Sequence, residues 1–146
     1  MLSNLLEKIR GRSTEPQSDE QLVPMAAATL FMEVAWADHE IAEDELAQIR
    51  VALIEQFDLV GEDVDEIIEE SRKHHDDSVG LYQFTRTIND AWQESEKFDL
   101  VVRLWRLALA DDRLDKFEEH MIRKIAELLY LSHARFIQAK QIARQA

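Results

Sequence analysis

Four carboxylates in two matched settings are the side chains of this chain best placed to do chemistry. Asp38 follows Ala37 in Ala37-Asp38-His39-Glu40-Ile41, with Glu45 four residues beyond Ile41. Asp111 and Glu118 hold the same places 73 residues later, around Ala110-Asp111-Asp112-Arg113-Leu114. Four such oxygens within reach of one another repel unless they are protonated or bridged, and the bridge they suit is a hard cation such as Ca²⁺, Mg²⁺ or Mn²⁺. Local chemistry competes with that reading. Asp stabilises tight turns by accepting from amides two residues on, and Glu in a first helical turn completes a capping box. Asp115-Lys116-Phe117-Glu118 fits such a box, but the equivalent cap position before Glu45 is Ala42, which has no side-chain acceptor. An acid at a helix C-terminus is also disfavoured by a few tenths to about 1 kcal/mol, and two of them ask for compensation. Both readings stand. The expectation carried forward is a metal site of Asp38, Glu45, Asp111 and Glu118.

To hold those acids, each turn must join two helices. Residues 22–37 and 96–110 are apolar nearly all round and read as central helices, the first with Pro24 in its opening turn, where no amide hydrogen is needed. Residues 43–58 and 116–131 read as the returning helices. In the first of these, Leu46, Ile49, Leu53 and Phe57 lie on one face at helical spacing. Aligned over 31–57 and 104–130, six of 27 positions are identical, among them Asp38/Asp111, Glu45/Glu118 and Ile49/Ile122. An internal duplication is the expected origin. Further helices are predicted at 62–74, through Leu81, Phe84, Ile88 and Trp92, and at 133–145; Ser95 is the expected cap of 96–110 and Ser132 that of the last helix. The expected fold is all-α, one compact bundle of about seven helices with two pseudo-repeated hairpins, over residues 20–146. Residues 1–19 read as a short amphipathic helix (Leu2, Leu5, Leu6, Ile9) and a flexible linker.

Three glycines and two prolines are too few to punctuate a sheet protein. With 30 acidic against 17 basic side chains, the net charge is -13. Such a surface repels phosphate backbones, so nucleic acid is not an expected partner, while cations and basic protein surfaces are. The absence of cysteine removes disulfides, thiol catalysis and thiolate metal sites. No apolar run reaches the ~18 residues of a membrane span, and no apolar signal core opens the chain, so the expectation is a cytoplasmic protein.

The spacing Asp38–Glu45 and Asp111–Glu118 matches the second half of an EF-hand loop. The first half fails, because Val34, Trp36, Leu107 and Leu109 stand where early oxygen ligands belong. The order His39, His75-Asp76, Asp111 is that of helical metal-dependent phosphohydrolases, and it is the alternative enzymatic reading. A third reading is a protein-interaction domain whose acidic turns only cap helices. Trp36, Trp92 and Trp105 read as core.

On the doubled signature, Ala37-Asp38 with Ile41 and Glu45, then Ala110-Asp111 with Leu114 and Glu118, the chain resembles the TerB-like family, named for tellurite resistance. The resemblance covers about residues 20–145. A related domain opens some DnaJ-type co-chaperones. The resemblance implies a helical, non-enzymatic domain with an acidic metal-binding surface, working with protein partners in stress-response assemblies at or near the membrane. The family's usual glycine after Ala-Asp is replaced by His39 and Asp112. Both residue types tolerate positive φ better than most, and His39 adds a nitrogen ligand while Asp112 adds another carboxylate.

Overall fold

The computed structural model describes residues 19–37, 41, 43–74, 79–110 and 116–145. Seven helices are found among them, with no strand: α1 (Asp19–Ala35), α2 (Glu43–Phe57), α3 (Gly61–His74), α4 (Val79–Ala91), α5 (Glu94–Leu109), α6 (Lys116–Leu128) and α7 (His133–Arg144). The segment predicted as an N-terminal helix and linker lies outside the described residues, apart from Asp19. None of the described helices is long and apolar enough to cross a membrane.

The all-round apolarity of α1 has its reason in its surroundings. It packs against α2, α3, α4, α5 and α6, and Met25, Ala26, Ala27, Ala28, Leu30, Met32 and Val34 are all buried. Pro24 is not in the opening turn, because α1 begins at Asp19 and the proline is its sixth residue. There it removes the amide that would bond the carbonyl four residues back, so the turn before it is tied to the helix less firmly. The second core helix, α5, buries Leu100, Val101, Leu104, Trp105 and Ala108 and packs most broadly on α7, where the rings of Trp105 and Phe136 meet at 5.1 Å. Each fully buried side chain of this size contributes about 1.5–3 kcal/mol relative to exposure.

Helices α2 and α6 end alike. Asp58 (φ 53°) and Tyr130 (φ 63°) adopt the left-handed conformation. The next residues then donate back along the helix, Leu59 to the Ile54 carbonyl at 3.3 Å and Leu131 to the Ala126 carbonyl at 3.0 Å. Both leucines are buried, which gives each stop the apolar contact that usually accompanies it. At α7 the expected cap holds, with Arg135 N–H donating to Ser132 Oγ at 3.2 Å. At α5 it does not. Ser95 lies inside the helix, and the cap is Gln93, whose amide donates to Glu96 Oε1 at 3.1 Å. Glu three residues after the cap satisfies an orphan amide as well as a serine would.

Candidate functional site

The direction of the helices locates the two turns. Pro24 near the start of α1 lines a cavity with Glu96, Asp99 and Leu100 from the first half of α5, with Arg103 beyond its middle, and with Phe57 and Asp58 from the end of α2. Arg103 Nη1 donates to the Gln56 carbonyl at 3.3 Å, and Asn89 Nδ2 to the Leu128 carbonyl at 2.9 Å, so α2, α4 and α6 all finish at this pole. The early parts of α1 and α5 therefore lie close together. Their other ends, and the starts of α2 and α6, lie away from this cavity.

Both core helices also close in the same way. Ala37 N–H donates to the Val34 carbonyl at 3.1 Å, and Ala110 N–H to the Leu107 carbonyl at 3.3 Å. These are tightened last turns, 73 residues apart, that satisfy carbonyls a regular α-helix would leave open. Beyond the turns, Glu45 is the third residue of α2 and Glu118 the third residue of α6.

Asp38 and Asp111 lie outside the described residues, as does the side chain of Glu45. Glu118 is half-buried and has a partner within the chain. Among the described residues no three His, Asp or Glu side chains form a metal-binding group. The Asp115 cap and the alternative set His39, His75, Asp76 and Asp111 also fall outside the described residues.

The frame around the first turn is well defined. Trp36, next to Ala37, donates from Nε1 to Ser71 Oγ at 2.8 Å, and Ser71 Oγ donates on to the Ile68 carbonyl at 2.9 Å. The Arg72 guanidinium lies 5.6 Å from the Trp36 ring. One turn of α3 thus clamps the end of α1. Behind it, α2 and α3 are joined by Arg50, whose Nε and Nη2 meet the two carboxylate oxygens of Asp65 at 2.7 and 3.3 Å. That fork holds the Asp65 carboxyl below its ordinary range and raises the Arg50 guanidinium. Gly61 leaves room for it, since a Cβ there would stand 2.7 Å from Arg50 Nη2.

Two acids near this turn escaped the sequence reading. Glu33 in the last turn of α1 and Glu70 beside Ser71 are buried, and both have partners within the chain. Glu33 was visible as the one charge interrupting the apolar run from Val23 to Trp36, whereas Glu70 is hidden in an acidic stretch.

A family model described as tellurite resistance protein TerB matches residues 24–141. The chain belongs to the TerB family. The match takes in α1 from Pro24 onward, all of α5, both acidic turns and most of α7, so the TerB domain is nearly the whole of the described structure. No curated protein and no solved structure matches the chain.

Proposed function

We propose that this TerB domain is a non-catalytic, acidic interaction module that holds a divalent cation between its two turns, with Asp38, Glu45, Asp111 and Glu118 as ligands. One observation carries the reading. Two core helices are closed by the same short hydrogen bond, and each is followed by a helix with Glu at its third position. The same 73-residue offset supports descent from a duplicated hairpin. An all-oxygen donor set favours Ca²⁺, Mg²⁺ or Mn²⁺ over softer metals. The bound cation would offset like charges that otherwise repel one another, and so order the surface that a protein partner meets. The net charge of -13 supports a basic partner surface over nucleic acid. Family membership supports a role in stress response of the tellurite-resistance kind, and the absence of cysteine fits a reducing cytoplasm.

The test is thermal melting of metal-stripped protein with each cation. At a hundredfold excess over its dissociation constant, a ligand bound only by the native state adds about 2.7 kcal/mol of stability. Ca²⁺, Mg²⁺ or Mn²⁺ should raise the melting temperature, and Asp38→Asn combined with Asp111→Asn should abolish the rise. A rise that persists in the double variant, or none with any cation, would sink the proposal.

A further inference from the structure

A second feature is a cavity of about 290 Å³ where the early parts of α1 and α5 meet the ends of α2 and α4. Its floor is apolar, with Phe57 and Leu100 buried. Trp92, the first residue beyond α4, forms a wall and is only half-buried, unlike Trp36 and Trp105. Asp58 and Asp99 stand exposed on the rim, and among the described residues neither has a hydrogen-bonding or ion-pair partner. Arg103 is the one cation among the lining residues, against the carboxylates of Asp58, Glu96 and Asp99. It donates to the Gln56 carbonyl, and its guanidinium carbon lies 5.6 Å from the Phe57 ring centre.

An aromatic wall, an apolar floor and three carboxylates against one cation make a receptor for an organic cation. A metal ion would find too few oxygens here to replace its hydration shell. A long side chain with a charged head fits better, its methylene stem on the floor and its charge between indole and carboxylates. The volume is at the small end of ligand sites (about 300–1,000 Å³), which suits one side chain rather than a cofactor. We propose that this cavity receives a lysine or arginine side chain from a basic protein partner. The negative field of the whole chain would steer such a surface toward it. This site does not depend on the cation proposed for the turns.

Nuclear magnetic resonance titration of the full chain tests it, with acetyl-lysine-amide and acetyl-arginine-amide as probes and acetyl-norleucine-amide as the uncharged control. The charged probes should shift the Trp92 indole and the Asp58 and Asp99 amides saturably, and norleucine should not. Asp58→Asn with Asp99→Asn keeps both side-chain shapes, and Asn suits the positive φ at residue 58. This pair should weaken binding about tenfold, and Trp92→Leu about threefold or more. Asp38→Asn with Asp111→Asn should leave it unchanged. An equal response to norleucine, or affinity untouched by the Asp58 and Asp99 changes, would overturn the proposal. So would tighter probe binding after Lys8→Gln, Arg10→Gln and Arg12→Gln, which would make the chain's own N-terminal residues the occupant.

Discussion

The Trp36 indole donates to the Ser71 hydroxyl at 2.8 Å, so the last residues before the first acidic turn are tied to the last turn of α3. Ser71 is fully buried and Trp36 nearly so, and water does not readily replace the bond if one partner is removed. Leaving a buried donor unsatisfied costs about 1–3 kcal/mol. Ser71→Ala should lower the unfolding free energy in urea by that amount and weaken cation binding as the turn loses its frame. An unchanged urea midpoint would show that the clamp is not structural.

The two left-handed helix stops differ in strain. An L-residue there costs roughly 1–2 kcal/mol, which glycine avoids while losing about 0.5–1 kcal/mol of unfolded-state entropy. Asp tolerates this conformation better than an aromatic residue does. Tyr130→Gly should therefore stabilise by up to about 1 kcal/mol, although it gives up the contact of Lys97 with the Tyr130 ring. Asp58→Gly should gain less. The reverse order in thermal unfolding would refute the strain argument.

The Arg50–Asp65 fork makes part of the stability depend on pH. The hydrogen bond from Arg50 lowers the folded-state pKa of Asp65. A depressed carboxylate contributes above its unfolded pKa, about 3.9, and loses that contribution as pH falls through the folded value. Asp65→Asn should be slightly less stable than the parent at pH 6, with the gap closing below about pH 4 and shrinking in high salt. Both residues are exposed, so the gap is small. A gap that widens on acidification would contradict this.

Legibility in the sequence followed burial. The run Met25-Ala26-Ala27-Ala28-Thr29-Leu30-Phe31-Met32 could only be a central helix, and the structure buries all eight residues. The doubled Ala-Asp signature likewise led to the TerB family. Helix ends were harder. The spacing of Leu81, Phe84, Ile88 and Trp92 carries no sign that the helix stops at Ala91, because no glycine or proline marks it. Trp92 read as core, and it does pack against the core, but half-buried and with one side lining an open cavity. Ser95 read as a cap for a comparable reason, since the signal was Glu96 reaching back to the Gln93 amide. Nor did anything local announce positive φ at Asp58 and Tyr130, where tertiary burial of Leu59 and Leu131 sets the conformation. The mutual arrangement of Asp38 and Asp111 is a tertiary relationship between segments 73 residues apart, beyond the reach of local pattern.

Calorimetric titration of the metal-stripped chain with Ca²⁺ and Mn²⁺ bears most directly on whether the two turns share one ion. Pooled ligands predict one site per chain, weakened by Asp38→Asn and by Asp111→Asn alike, since each removes a ligand of the same cation. Two sites per chain, with each substitution silencing only its own, would contradict the account, and so would the absence of any heat of binding.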